Sequence, residues 1–86
     1  MSLDEIVIDS AKILFDIKQH VDYPIEFNAR FLRNTINFYN FYSQKLGNKK
    51  DAYDVTYDTM YRLIEKTYGN KKWVLMMYLK PLTLRS

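Results

Sequence analysis

The chain has no cysteine, two glycines, two prolines, one histidine and one tryptophan among its 86 residues. Without cysteine, disulfides and thiolate metal or redox sites are excluded, and a reducing intracellular setting is expected. With His20 alone, a nucleophile–base triad or a zinc centre lacks its parts. The longest apolar run, Trp73 to Leu79, is far too short to cross a bilayer, so no membrane partner is expected. The opening Met1-Ser2-Leu3-Asp4-Glu5 has no basic stretch, so no secretory leader is expected and the cytoplasm is the predicted location.

What is present describes a folded domain. Hydrophobic residues make up 48% and charged residues 27%, which argues against disorder, and the length predicts one helical domain over 1–86. Such a chain lies at the small end of what can bury its own core. Eight Tyr, five Phe and the single Trp nevertheless supply more ring area than so small a core requires. The surplus predicts a contact surface.

Net charge is +3, distributed in blocks of alternating sign. Residues 1–26 balance at −4, 27–50 at +5, 51–65 at −3 and 66–86 at +5. Successive antiparallel helices with these charges attract one another, and this accounts for the basic blocks better than a dedicated polyanion surface does.

Ser2-Leu3-Asp4-Glu5 reads as a capping box that opens a helix through about Val21. At roughly 100° per residue, Leu3, Ile6, Val7, Ile13, Leu14, Ile17 and Val21 share one face. Ile8 and Phe15 form a second apolar seam beside it, while Glu5, Asp9, Lys12, Asp16, Gln19 and His20 form the wet side. An apolar arc this wide predicts cover from two directions, one of them another subunit. Asp22-Tyr23-Pro24 breaks the pattern, and Pro24 suits the first turn of a second helix that begins within 24–28 and ends near Leu46. Its inner arc holds Phe27, Phe31, Leu32, Thr35, Ile36, Phe38, Tyr39, Tyr42 and Leu46. Its outer arc holds Arg30, Arg33, Asn34, Asn37, Asn40 and Gln44, with Phe41 among them.

The tetrapeptide Gly-Asn-Lys-Lys occurs at 47–50 and again at 69–72, and it holds both glycines of the chain. Phosphate-gripping loops need several glycines so that backbone N–H groups converge on the anion. One glycine per loop predicts punctuation instead. Glycine stops each helix, Asn serves as turn or cap, and the lysines sit near a carbonyl-rich helix end. Asp51 is then the expected N-cap of a third helix through about Tyr68. Its inner face holds Ala52, Tyr53, Thr56, Tyr57, Met60, Leu63, Ile64 and Tyr68, and Asp58 and Arg62 are spaced for an ion pair on the outside. Trp73–Leu79 has no polar residue to set a period; a short fourth helix stopped by Pro81 is favoured, with a strand as the alternative, for which the rest of the chain offers no partner. The fold class is therefore all-α, a small three-helix antiparallel bundle with a short fourth C-terminal helix.

Candidates for chemistry are few. Asp9, Asp16 and His20 lie in a row with ligand-like spacing, but a solvated acidic face explains them better. Asp54 and Asp58 read as solubilising charges. No cofactor, metal or catalytic residue is expected. Tyr53, Tyr57 and Tyr61 form a ladder in which Tyr53 and Tyr57 lean to the core and Tyr61 to the surface. The strongest candidate is the outer face of the second helix. Arg30, Arg33, Asn34, Asn37, Phe41 and Gln44, with Tyr61, describe an aromatic anchor inside a polar rim, as protein–protein hot spots have. Ile8, Phe15, Trp73, Met76 and Met77 are the expected self-association residues, with a dimer as the favoured order. The alternative partner is nucleic acid, read by Arg30, Arg33 and Asn37 with Lys49, Lys50, Lys71 and Lys72 on phosphates.

Phe, Tyr, Met, Ile, Asn and Lys total 39 residues, against 11 for Gly, Ala, Arg and Pro. This bias towards AT-rich codons matches many bacteriophages and low-GC bacteria. The predicted function is that of a small non-enzymatic binding protein, such as a phage or mobile-element accessory factor or inhibitor that acts by occluding a partner's surface. Its location would then be the host cytoplasm.

Overall fold

The computed structural model describes residues 2–69, and every regular element among them is helical. Helix α1 spans Leu3–Lys18, α2 spans Asn28–Leu46 and α3 spans Lys49–Ile64. The predicted fourth helix and the second Gly-Asn-Lys-Lys turn lie outside the described residues beyond Gly69. Two core clusters set the topology. Ile6 of α1 meets Tyr39 near the end of α2 and Ala52 near the start of α3. Ile13, Leu14 and Ile17 meet Phe31 near the start of α2 and Met60 and Ile64 near the end of α3. The helices therefore run up, down and up around a shared core.

Each start and stop has a local cause. The Ser2 hydroxyl accepts the Glu5 N–H at 3.2 Å, and Asp4 and Glu5 place negative charge in the first turn, where the helix dipole favours it. Helix α1 stops at Lys18, one turn before the expected Val21. The carbonyls of Asp16 and Ile17 are satisfied instead by the N–H groups of Gln19, His20 and Val21 in a closing turn. Val21 is still buried, because the turn folds it back onto the core. Pro24 precedes a single 3₁₀ turn, Ile25–Phe27, so α2 begins only at Asn28.

Between α2 and α3 lie only Gly47 and Asn48. Gly47 adopts φ 64°, ψ 16°, the left-handed cap that a residue without Cβ takes at little cost. Asn48 is extended, and its side-chain carbonyl accepts the N–H groups of Lys50 and Asp51 at 2.9 and 3.2 Å. The N-cap is thus Asn48 and not Asp51. Lys49 and Lys50 accordingly lie in the first turn of α3, where the dipole opposes them, and not over the carbonyl end of α2. At its other end α3 widens into a π turn over Glu65–Gly69. Tyr68 stays on the inner face through this turn, and its ring meets those of Tyr23, Phe27 and Phe31 at 6.4, 5.6 and 6.1 Å.

Departures from the helical stripes follow bundle geometry. Leu3, Val7 and Leu46 share the predicted inner arcs but are exposed, because they lie at helix ends or edges that no neighbour reaches. Leu63 is likewise exposed. The two apolar clusters are separated along the bundle by Ser10, Thr35 and Thr56, all fully buried. Thr35 donates to the Phe31 carbonyl at 2.7 Å, while the hydroxyls of Ser10 and Thr56 have no partner among the described residues. An unpaired buried hydroxyl costs about 1–3 kcal/mol, and valine has nearly the shape of threonine. Thr56→Val is therefore expected to stabilise the fold by about 1 kcal/mol in urea denaturation. A loss of stability would mean that the hydroxyl is satisfied in solution.

Candidate protein-docking surfaces

The outer face of α2 is positioned by what lies on its inner face. Phe31, Thr35 and Tyr39 are buried at four-residue intervals, so the opposite side of the helix is turned away from α1 and α3. Phe41 is 53% exposed there, although it is a phenylalanine in the middle of a helix. Its ring meets Tyr42 edge-on at 5.3 Å, and the Lys45 ammonium lies 5.4 Å from its centroid. Tyr42 in turn stacks on Phe38 at 6.4 Å. The anchor is therefore backed by a chain of rings that ends in the core. Arg30, Arg33, Asn37 and Gln44 are exposed along the same outer arc and Asn34 is half-buried. The Gln44 amide N–H donates to Asn40 Oδ1 at 3.2 Å, which orients the rim beside Phe41. Arg30 lies over the Phe27 ring at 5.4 Å, at the other end of the same face. A polar groove of ≈ 470 Å³, lined by residues including Glu5, Asn40, Gln44 and Lys49, adjoins this face.

The rotation of α2 is held by a polar brace that the sequence pattern did not reveal. Asp9, predicted on the wet side of α1, is only 7% exposed. The Tyr39 hydroxyl donates to Asp9 Oδ2 at 2.8 Å, and Lys49 Nζ lies 3.5 Å from the same oxygen. Lys49 also pairs with Glu5 at 2.7 Å. One carboxylate thus ties α1 to both α2 and α3. Its sequence signal was the presence of Tyr39 within the inner arc, because a buried tyrosine hydroxyl needs a partner. Burial and the adjoining Asp9 carboxylate push the Tyr39 hydroxyl well above the ordinary phenol range. Lys49 is held in its charged form chiefly by its hydrogen bond to Glu5. This arrangement offsets the unfavourable position of Lys49 at the start of α3.

The tyrosine ladder lines the side of α3 that faces α1. Tyr53, Tyr57 and Tyr61 are all half-buried, and Tyr57 and Tyr61 stack at 6.0 Å. Burial raises the pKa of Tyr53 and of Tyr57, with the nearby Asp16 charge adding to both shifts. Tyr61 lies 6.5 Å from the His20 ring, at the end of α1. The structure therefore does not bring Tyr61 to Phe41, which projects from the later half of α2. The Asp58–Arg62 pair forms on the outside of α3 at 3.2 Å, as its spacing predicted.

Ile8 and Phe15 project from the outer side of α1, with exposures of 54% and 70%. Beside Phe15 runs a groove of ≈ 270 Å³ between α1 and α2, lined by Ala11, Leu14, Phe15, Lys18, Asn28 and Leu32. Of the lysines assigned to phosphates in the nucleic-acid reading, Lys50 is exposed and Lys49 is committed to Glu5 and Asp9. Lys71, Lys72, Trp73, Met76 and Met77 lie outside the described residues. Among the described residues no group of three acidic or histidine side chains converges as a metal set, and no helix is long and apolar enough to cross a membrane. Comparison with protein-family models, with curated proteins and with solved structures finds no match to this chain.

Proposed function

We propose that this chain is a non-enzymatic docking protein that occludes a surface on a protein partner through the outer face of α2. The observation that carries this reading is Phe41. A large apolar ring stands exposed on an outer arc rich in Arg, Asn and Gln, with its back supported by Tyr42 and Phe38. Binding energy at such faces concentrates on a central aromatic or arginine, while the polar rim excludes water and sets register. A pre-ordered helix loses little entropy on binding, which favours a rigid ridge of this kind over a loop. Small phage or mobile-element accessory proteins that inhibit by surface occlusion fit this description, and the host cytoplasm is the corresponding location. Self-association through α1 accompanies it, leaving the α2 face available.

The nucleic-acid reading has less support, because Lys49 is neutralised by two carboxylates and the arginine face carries few further cations. A pull-down from host lysate, with and without nuclease, distinguishes the two. Proteins retained by the wild type are expected to be lost with Phe41→Ala, to survive nuclease treatment, and to be lost without any change in melting temperature. An unchanged set of retained proteins with Phe41→Ala would overturn the α2 reading. Loss of all retention on nuclease treatment would transfer the function to nucleic acid.

A further inference from the structure

The outer side of α1 carries Asp4, Ile8, Ala11, Phe15 and Lys18, spaced by four, three, four and three residues. This is the spacing of a coiled-coil seam. The seam lies roughly 150° around the helix from the buried stripe of Ile6, Ser10, Ile13 and Ile17, so the described helices leave most of it uncovered. Four of its members are exposed and Lys18 is half-buried, with its ammonium 4.6 Å from the Tyr23 ring.

The seam is self-complementary about Ala11. Asp4 and Lys18 each stand seven residues from it, and Ile8 and Phe15 stand three before and four after. If a second copy is laid antiparallel across this face, Asp4 meets Lys18 at both ends, Ile8 packs beside Phe15, and the small Ala11 side chains meet on the twofold. A parallel pairing would set Asp4 on Asp4 and Lys18 on Lys18, and would align the helix dipoles unfavourably. The receiving hole is already formed. Ala11, Leu14, Phe15 and Lys18, at i, i+3, i+4 and i+7, line the ≈ 270 Å³ groove, at the level where Ile8 of the second copy arrives. From this charge symmetry and this groove we infer that α1 pairs antiparallel with α1 of a second copy, centred on Ala11. The inference fixes the geometry of the self-association proposed above and is independent of the Phe41 face.

Purified full-length chain suffices for the test, because no partner is involved. Sedimentation equilibrium up to about 1 mM is expected to show a monomer–dimer equilibrium, since an interface of five layers is small and reversible. Asp4→Lys and Lys18→Asp should each weaken the dimer at least tenfold, and the double variant should restore it. The chain has no cysteine, so introduced thiols report geometry without background. An oxidised mixture of Ile8→Cys and Phe15→Cys chains should give the mixed disulfide in preference to either homodimer. A monomer at every concentration would overturn the pairing, as would a dimer that survives Phe15→Glu. Preferential Ile8–Ile8 and Phe15–Phe15 disulfides, or failure of the double charge reversal to rescue, would overturn its antiparallel register.

Discussion

Replacing Ile17 with alanine is expected to destabilise the bundle by roughly 3–4 kcal/mol, the largest effect of any single truncation considered. Ile17 is fully enclosed in the cluster that includes Phe31, Met60 and Ile64, so all three helices face the cavity that the change would open. Alanine is the better helix former, which recovers only a few tenths of a kcal/mol within α1. The net loss is a large share of the stability of a domain this size. Urea denaturation gives the value through the shift in midpoint at constant slope. Leu3→Ala provides the comparison, because Leu3 shares the helical stripe with Ile17 but is 70% exposed, and less than about 0.5 kcal/mol is expected there. Similar losses at the two positions would mean that the core does not close around Ile17. The prediction bears on docking as well, since the outward aim of Phe41 depends on this core being a single rigid unit.

Removing one oxygen, by Tyr39→Phe, is expected to cost about 2 kcal/mol, the usual value of a hydrogen bond to a buried charged group. The ring stays in place, so no cavity is formed. What changes is that Asp9, almost fully buried, loses its hydrogen bond from Tyr39 and keeps Lys49 at 3.5 Å among the described residues. The pH dependence adds a second readout. The Tyr39 hydroxyl is raised above its ordinary value of 10, first by burial and then by Asp9, and Tyr23, Tyr53 and Tyr57 are raised in the same direction by burial. For a group raised on folding, the stability it contributes is fully present below the unfolded pKa and is lost as pH climbs through the folded value. Melting temperature should therefore be flat through neutral pH with respect to these tyrosines and fall above about pH 10. The fall should be shallower in Tyr39→Phe, which has one raised phenol fewer. A variant as stable as the wild type at pH 7, with the same alkaline slope, would mean that the Tyr39–Asp9 bond contributes nothing to the fold.

Much of the fold was legible along the chain. The apolar spacing in α2 and α3 identified Phe31, Thr35, Tyr39, Ala52, Thr56, Met60 and Ile64 as inner residues, and all are buried. Gly47 was legible as a stop because only a residue without Cβ adopts its backbone angles cheaply. Phe41 broke the polar pattern of its arc, and the same angular arithmetic set it on the outer arc without deciding whether the apolar C-terminal segment covers it; among the described residues it is 53% exposed. The N-cap at Ser2 and the Asp58–Arg62 pair were legible because both depend only on neighbours within one turn, whereas the Glu5 carboxylate expected to complete a capping box pairs with Lys49 instead.

Asp9 and Lys49 were not legible, because their partners lie on other helices. A carboxylate on the hydrophilic arc of an isolated helix looks solvated whether or not a tyrosine from elsewhere covers it. The N-cap of α3 was misplaced for a different reason. Asn48 and Asp51 are both good cap residues three positions apart, and spacing did not choose between them; the Asn48 side chain is the one that accepts the Lys50 and Asp51 N–H groups. Tyr61 was grouped with Phe41 on composition alone, whereas the bundle sets them on different sides.

Residue spacing alone determined the helical class, the helix count among the described residues, the turn at Gly47 and the outward position of Phe41, Ile8 and Phe15. These depend on short-range sterics and on a period of 3.6 residues, which any window of the chain reveals. Tertiary packing alone decided that Asp9 would be enclosed by Tyr39 and Lys49, that Leu3 and Val7 would be left uncovered, and that the inward Tyr68 would meet the rings of Tyr23 and Phe31. Each of these depends on which helix lies opposite and at what height, and that is a property of three surfaces meeting.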